Sequence, residues 1–268
     1  MSPSPHSPIG VFDSGVGGLT VVRALMQRLP NEDIIYFGDT ARVPYGIKSV
    51  ETISHYATQI TEFLLEKEVK LLIVACNTMA AVASQVIHDL SPVPVLDVIE
   101  AGTRGAIAAT RNRQVGVIGT LTTINSQAYV HTIHAAAPDI GIHSRACPLF
   151  VPLVEEGWLD HEVTRLTARE YLSPLLELDI DSLVLGCTHY PLLTPLLKEV
   201  VGDSIQLIDS AETTAQQVVE LFEQTGMANP DPTPGSHQFF VTDVPQRFQD
   251  VGSRFLGQPL FHVHVVNW

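Results

Sequence analysis

Two segments of the chain share one pattern: LIVACNTMA at residues 72–80 and LVLGCTHYP at residues 183–191. In each segment, an apolar run ends in a cysteine that is followed by polar side chains. Short apolar runs bounded by polar residues are typical of buried strands in a parallel sheet. The two segments therefore predict two equivalent strands, 71–76 and 182–187, with Cys76 and Cys187 at their carboxyl ends.

Similar β-branched runs alternate with segments of helical periodicity along the whole chain. The further predicted strands are 9–14, 33–39, 93–98, 115–120 and 205–209, followed by 237–243 and 261–266 near the end of the chain. One helical segment begins after Ser49, the expected N-cap, and has apolar residues at helical spacing: Val50, Ile53, Ala57, Ile60 and Leu64. This alternation predicts βαβ units and an α/β fold with parallel sheets.

The chain also contains an internal repeat. IGVFDS and VGVIGT match at an offset of 106 residues, the cysteine strands at 111, and VLDVIE and LIDSAE at 112. Three matches in one order predict two similar α/β domains related by pseudo-symmetry. Chance similarity among strands rich in Val and Ile is the alternative. We expect one domain to comprise residues 1–98, completed by 210–268, and the other to comprise 99–209, with the active site in the crevice between them.

Composition narrows the class of protein. The chain has 268 residues, of which 45% are hydrophobic, and 15 basic and 29 acidic residues give a formal charge of −14. This charge repels polyanions and argues against nucleic-acid or anionic-membrane partners. We see no signal peptide and no apolar run long enough to cross a membrane. Three cysteines without a C-x-x-C pair favour free thiols in a reducing cytoplasm.

Polar clusters follow several predicted strands at their carboxyl ends, where ligands of parallel sheets bind. The cluster after the first strand is DSGVGG, which matches neither a dinucleotide fingerprint nor a P-loop, so its glycines indicate a tight turn. Asp39 follows the second strand, and Arg42 beside it is expected to form a salt bridge with Asp39 rather than to touch a substrate.

The two strand-end cysteines suggest acid–base chemistry. Most free cysteines are buried small hydrophobes, and we interpret Cys147 in this way. Cys76 and Cys187 instead adjoin polar residues and expected helix N-termini, an environment that lowers a thiol pKa. Two thiols on opposite sides of a ligand, one as thiolate and one as thiol, can invert a stereocentre. A single Cys–His pair would instead indicate a thiol hydrolase.

Cofactors and metals are not expected. The chain has only four lysines. Lys67, Lys70 and Lys198 lie away from the strand-end clusters, and Lys48, two residues after Gly46, is interpreted as a solvated loop residue, so we predict no pyridoxal Schiff base. Of eleven histidines, only two pairs are close in sequence: His131 with His134 on a predicted helix, and His262 with His264 on a predicted edge strand. Neither pair predicts a metal site.

Taken together, the motifs VFDSGVGGLTV, YFGDTARVPYG, VACNT, CPLFVPLVEEG and VLGCTHYPLL resemble the glutamate racemases in order and spacing. The resemblance extends through FFVTD near the end and omits only about the first eight residues. It implies cofactor-independent interconversion of L- and D-glutamate by a two-base thiol mechanism, which supplies D-glutamate for peptidoglycan and the cell wall in a bacterial cytoplasm. It also implies a homodimer.

The resemblance implies a role for each site residue. Cys76 and Cys187 match the two catalytic thiols, Asp13 and His189 match the groups that assist them, and Glu155 matches a carboxylate near His189, although the alignment alone separates it from Glu156. The remaining positions match residues that hold the substrate's amino and carboxylate groups: Asp13, Ser14, Tyr45, Gly46, Asn77, Thr78, Thr188 and His189, together with Thr120 and Thr123 for a carboxylate.

Three other functions remain open from the sequence. An aspartate or broad-specificity racemase would share both cysteines and differ in substrate length. A thiol hydrolase would use Cys187 and His189 through an acyl intermediate and would not need Cys76. A two-lobed binding protein would take up glutamate without exchanging its α-hydrogen.

Overall fold

The computed structural model describes residues 3–268 and contains two parallel β-sheets. The strands are β1 (Ile9–Asp13), β2 (Ile34–Gly38), β3 (Leu71–Val74), β4 (Val95–Asp97), β5 (Gln114–Gly119), β6 (Gly141–Ala146), β7 (Ser182–Gly186), β8 (Gln206–Ile208), β9 (His237–Val241) and β10 (Val263–Val265). The larger sheet has the order β10-β9-β2-β1-β3-β4, and the smaller has the order β6-β5-β7-β8.

Helices connect the strands, as the alternating pattern predicts. They are α1 (Leu19–Arg28), α2 (Val50–Glu66), α3 (Asn77–Leu90), α4 (Val98–Ala109), α5 (Leu121–Asn125), α6 (Ala128–Ala136), α7 (Phe150–Glu155), α8 (Glu162–Leu176), α9 (Thr194–Val201), α10 (Ser210–Thr225) and α11 (Pro245–Leu256). All nine predicted strands overlap observed ones, and two parallel-sheet α/β domains are confirmed.

The internal repeat is visible in the order of the strands. β2-β1-β3-β4 in one sheet corresponds to β6-β5-β7-β8 in the other, so β1 matches β5, β3 matches β7 and β4 matches β8. These are the three pairs that the sequence offsets identify. Equivalent residues after β3 and β7 therefore occupy the same end of their respective sheets, which is why Cys76 and Cys187 occupy equivalent positions.

Strands β1, β2, β3 and β7 are buried along their length, because helices cover both faces of the sheets there. The last two strands join the larger sheet, where β9 pairs with β2 and β10 forms the edge. Helix α10 packs against both α1 and α4 and so links the two sheets. The domain boundaries at residues 98/99 and 209/210 stay a prediction.

Helix α2 begins as the sequence predicts but differs in one detail. The Ser49 hydroxyl accepts a hydrogen bond from the Thr52 amide at 3.3 Å and so caps the helix. Ile53 and the later apolar positions are buried, but Val50 is 54% exposed, so its placement on the buried face was wrong. A residue in the first turn has no preceding turn beside it, and its neighbour is solvent.

Three of the four paired histidines lie on the kinds of element that the sequence predicts for them. His131 and His134 lie on α6, and His264 lies on the edge strand β10, with His262 just before it. Between residues 3 and 268, no three His, Cys, Asp or Glu side chains are grouped closely enough to hold a metal ion. Within the same residues, no helix is both long and apolar enough to span a bilayer.

Candidate active site

A cavity of about 440 Å³ lies where the carboxyl ends of the two sheets meet. Both Cys76 and Cys187 line it, although β3 and β7 belong to different sheets. The predicted site residues that also line it are Asp13, Ser14, Tyr45, Gly46, Asn77, Thr78, Thr120, Glu155, Thr188 and His189. The topology thus brings together residues that are up to 176 positions apart in the chain, from Asp13 to His189.

Thr123 is the one predicted site residue outside the lining. It is 1% exposed and lies behind Thr120, with 2.9 Å between their hydroxyl oxygens. The Thr120 hydroxyl lies 3.0 Å from that of Thr78, which comes from the other sheet. Thr123 therefore supports the hydroxyls that face the cavity, and its own contact with a carboxylate stays a prediction.

The Cys76 thiol lies beside a carboxylate. Its Sγ donates to the Ser14 hydroxyl at 3.6 Å. The neighbouring Asp13 carboxylate accepts hydrogen bonds from the Gly15 and Gly18 amides, both at 3.1 Å, which fix its orientation at the start of α1. Burial, followed by the negative charge of Asp13, raises the pKa of Cys76 to about 12.

This value corrects the expectation of a lowered thiol pKa at Cys76. Cys76 is the N-cap residue of α3, as the sequence suggests, but desolvation and the nearby carboxylate outweigh the amides of the helix. At Cys187 the expected helix N-terminus is missing, because a single 3₁₀ turn at Tyr190–Leu193 follows and α9 begins only at Thr194. Cys76 is therefore a thiol at neutral pH when no ligand is bound.

The Cys187 thiol lies beside a histidine instead. Its Sγ is 4.0 Å from His189 Nδ1, and His189 Nε2 is 3.1 Å from Glu155 Oε1. Burial on its own lowers the pKa of His189, but its hydrogen bonds to Cys187 and Glu155 more than offset this and raise it to about 10. His189 is therefore an imidazolium at neutral pH.

Glu155 carries the negative charge opposite that imidazolium. Its hydrogen bond to His189 holds the pKa of the carboxyl below its usual value, against the opposing effect of burial. Glu155 lies in α7, whereas its neighbour Glu156 is exposed and does not contact His189. The geometry thus resolves which of the two carboxylates is the partner of His189.

Helix α11 supports this pair from the end of the chain. Arg247 Nη2 lies 3.4 Å from Glu155 Oε2, and Arg254 Nη1 donates to the Glu155 main-chain oxygen at 3.0 Å. The Phe255 ring meets the His189 imidazole edge-on, with 5.0 Å between their centroids. These contacts are not predictable from the sequence, because α11 begins about ninety residues after Glu155 and carries no motif.

The loop after β2 forms another part of the wall. The Tyr45 hydroxyl donates to the Asp39 carboxylate, and Arg42 lies 3.5 Å from the same carboxylate, which confirms the expected salt bridge. The Thr122 hydroxyl donates to the Gly46 carbonyl at 2.8 Å and so joins this loop to α5, which follows the central strand of the other sheet.

Gly17 explains why the first loop is rich in glycine. A Cβ at this position would lie 2.0 Å from Thr188 Oγ1 and 2.7 Å from His189 Nδ1. Glycine is therefore required for the loop after β1 to approach the polar cluster after β7. Gly17 thus serves close packing between the two halves of the site, in agreement with the rejection of a nucleotide motif.

Comparisons with known proteins find similarity to racemases. Residues 9–218 match the family described as Asp/Glu/hydantoin racemase. The glutamate racemase of Syntrophus aciditrophicus is 67% identical over 97% of this chain and 96% of its own. That of Neisseria meningitidis serogroup A is 55% identical over the same shares of the two chains.

Solved structures give the same result. A glutamate racemase from Francisella tularensis, determined in complex with D-glutamate, superposes with a TM-score of 0.92 at 43% identity and covers 98% of both chains. One from Bacillus anthracis has a TM-score of 0.94 at 39% identity over the same shares. An aspartate racemase from Picrophilus torridus, at 16% identity and a TM-score of 0.57, shares the fold alone.

Proposed function

The chain belongs to the Asp/Glu/hydantoin racemase family, and from that premise we propose that it interconverts L- and D-glutamate by proton transfer between Cys76 and Cys187, without a cofactor. It is an isomerase, as its close relatives are. The observation that carries the proposal is the single cavity lined by both thiols. Glutamate as the substrate rests on the names of those relatives and on the D-glutamate in the Francisella structure.

The reaction exchanges one proton on each face of the substrate's Cα. A thiolate removes the α proton, which breaks the Cα–H bond and leaves the electron pair on Cα. The opposite thiol then gives its proton to the other face and becomes a thiolate. One S–H bond forms and one breaks, so proton exchange with solvent restores the enzyme after the product leaves.

The Cys187 side carries a positive charge beside the sulfur. The His189 Nδ1 atom lies 4.0 Å from Cys187 Sγ, and the imidazole is protonated at neutral pH. Its hydrogen bonds to Cys187 and Glu155 raise the pKa of His189 and so keep that charge in place. We therefore assign Cys187 the role of the base that removes the α proton of one enantiomer.

The Cys76 side is equipped to deliver a proton. A thiol whose pKa is about 12 keeps its proton at neutral pH. Asp13 lies close enough to receive the substrate's ammonium group, and that positive charge would offset the carboxylate and lower the thiol pKa. Substrate binding therefore makes it easier for Cys76 to give up its proton, as the reaction requires.

The substrate's carboxylates meet neutral donors. The residues that line the cavity include no lysine or arginine but several hydroxyls and an amide, from Ser14, Asn77, Thr78, Thr120 and Thr188. The N-terminus of α3, which begins at Asn77, adds main-chain amides and a favourable dipole. These donors also stabilise the negative charge that develops on the α-carboxylate once the α proton leaves.

The wider role follows from the product. We propose that the D-glutamate serves peptidoglycan synthesis in the bacterial cytoplasm and that the enzyme works as a homodimer, as the family resemblance implies. The glutamate racemases compared above come from bacteria. The charge of −14 agrees with a small-molecule substrate rather than a nucleic acid.

The direct test follows the optical rotation of L-glutamate, and separately of D-glutamate, with neither metal nor pyridoxal phosphate added. We expect both to decay to zero. Cys76→Ala and Cys187→Ala should each lower the rate by about 10³-fold or more, since each removes a proton-transfer group. Wild-type turnover by either variant would contradict the mechanism.

The same experiment separates the alternatives. Faster racemisation of aspartate than of glutamate would identify an aspartate racemase. A covalent acyl intermediate, with full activity of Cys76→Ala, would identify a thiol hydrolase. Glutamate binding without deuterium uptake at Cα in heavy water would identify a binding protein.

A further inference from the structure

Tyr129 is a buried residue that joins the two halves of the site. It lies on α6, after the central strand of the smaller sheet, and is 2% exposed. Its hydroxyl is 2.7 Å from Asn77 Oδ1, which comes from α3 beside the larger sheet, and 3.4 Å from the Val98 carbonyl. A phenol has one proton to donate, and the shorter contact directs it to Asn77.

This bond leaves one end of the Asn77 amide unused. Asn77 is itself 2% exposed and lines the cavity beside Cys76. Its Nδ2 is buried without a hydrogen-bond partner among residues 3–268. A buried amide nitrogen without an acceptor is costly, so its place at a ligand cavity indicates that the ligand supplies the acceptor.

We propose that Tyr129 is a positioning residue that orients the Asn77 amide so that Nδ2 donates to a carboxylate oxygen of the substrate. The inference rests on the function proposed above. If the amide were turned over, Oδ1 would face the cavity, where it would repel a carboxylate and attract the ammonium group. The shorter contact of the Tyr129 hydroxyl, its donation to Oδ1, therefore favours the orientation in which Asn77 recognises a carboxylate.

Glycines on both sides leave the space that the Tyr129 side chain occupies. A Cβ at Gly102 in α4 would lie 2.9 Å from the Tyr129 hydroxyl oxygen, and a Cβ at Gly186 would lie 3.0 Å from the ring. Gly186 directly precedes Cys187. The ring thus packs against the strand that carries one thiol, while its hydroxyl orients the residue that follows the other.

Tyr129→Phe tests the inference, because it removes the hydroxyl and keeps the ring. We expect KM to rise about tenfold, the usual effect of leaving a buried partner unpaired, and kcat to change less. The fall in kcat/KM should be equal for both enantiomers, since they have equal free energies. In an Asn77→Ala background, Tyr129→Phe should cause no further rise.

Tyr190→Phe is the matched control for the loss of a buried tyrosine hydroxyl. The Tyr190 hydroxyl donates to the Cys147 carbonyl at 2.9 Å, and the ring is fully buried in the same half of the molecule. We expect this variant to lower the melting temperature as much as Tyr129→Phe does but to leave KM within about twofold of wild type. An equal rise of KM in both variants would contradict a specific role for Tyr129.

A second pair of variants tests the position of the Tyr129 hydroxyl: one variant displaces the hydroxyl without removing it, and the other is its control. Gly102→Ala should displace Tyr129 and raise KM, although residue 102 does not line the cavity. Gly105→Ala, one turn along the same helix, crowds Ile208 at 2.7 Å instead and should leave KM unchanged. Equal KM values in these two variants would count against the inference.

The outcomes separate this inference from the proposed function. An active wild type whose Tyr129→Phe variant keeps a wild-type KM overturns the role of Tyr129 alone. A wild type that leaves the rotation of both glutamate enantiomers unchanged overturns the proposed function and this inference with it. A tenfold rise that disappears in the Asn77→Ala background supports the inference.

Discussion

The surroundings of Cys76 and those of Cys187 differ more than their positions do. Both cysteines follow equivalent strands, β3 and β7, at the same end of equivalent sheets. Cys76 is the N-cap of an α-helix and lies near a carboxylate, whereas Cys187 precedes a 3₁₀ turn and lies near an imidazolium. The repeat of the fold duplicates the position of the thiol but not its acid–base environment.

This difference suits a reaction with two mirror-image substrates. On each face of Cα, the enzyme must accept a proton in one direction of the reaction and donate a proton in the other. Starting with one thiolate and one thiol provides both without an external base. The equal free energies of the enantiomers require equal kcat/KM in the two directions, so the asymmetry must appear in individual steps.

Among variants of the residues around the two thiols, the largest effect is expected from His189→Gln, which removes the positive charge beside Cys187. We expect kcat/KM to fall about 10²-fold for both enantiomers, the usual contribution of a group that assists proton transfer. With substrate deuterated at Cα, the primary isotope effect on kcat should grow for the enantiomer whose proton Cys187 removes and stay unchanged for the other. Equal growth for both would remove the distinction between the two thiols.

An intermediate effect is expected from Glu155→Gln, which acts on His189 through their hydrogen bond. Because Glu155 raises the pKa of His189, which is about 10 in the wild type, its loss should move the alkaline fall of activity to lower pH. A pH profile of kcat/KM measures this, with a loss of about tenfold near neutral pH. Glu156→Gln, one residue away and exposed, is the control and should keep the wild-type profile.

The histidine also makes stability depend on pH. Its pKa is raised in the folded protein, so its stabilising interactions are fully present below its ordinary value of about 6.5 and are lost as the pH rises through about 10. The difference in melting temperature between wild type and His189→Gln should therefore shrink as the pH rises from about 6.5 to about 10. A difference that stays constant up to pH 11 or so would contradict the assigned protonation state.

The smallest effect is expected from Arg247→Gln. Its guanidinium is 63% exposed where it meets Glu155, and exposed ion pairs contribute little. We expect a loss of kcat/KM of about twofold to threefold, with a small shift of the alkaline limb in the direction that Glu155→Gln produces. Arg104→Gln, which breaks a comparably exposed pair with Glu220, is the control. A larger loss of kcat/KM than that of Glu155→Gln would contradict the view that Arg247 acts through its ion pair with Glu155.

The sequence predicts much of the fold, because buried parallel strands have a strong apolar signal. It missed β6, whose residues GIHSRA are mostly half-buried and polar. This is the outer strand of the smaller sheet, so one of its sides is open to solvent and no apolar run marks it. The repeat offered a signal, since an offset of 107 residues from Ile34 in β2 leads to Gly141 in β6.

The site residues that follow the carboxyl ends of strands could be predicted from the sequence. Asp13, Cys76 and Cys187 could be identified because the carboxyl ends of parallel strands meet in one crevice. Tyr129 and Arg247 lie in helices without a motif, and only the folded chain brings them to Asn77 and Glu155. The thiol pKa was mispredicted for the same reason, since desolvation depends on the complete fold.

The most direct test of the central claim uses each thiol by itself. A 3-chloroglutamate loses HCl after one proton abstraction, because the chloride leaves with the C–Cl electrons as the α proton is taken up. Cys76→Ala and Cys187→Ala each retain one thiol, on opposite faces of Cα. We predict that each variant eliminates chloride from one α-enantiomer only, and that the two variants prefer opposite enantiomers. Elimination from the same enantiomer by both variants would contradict the account.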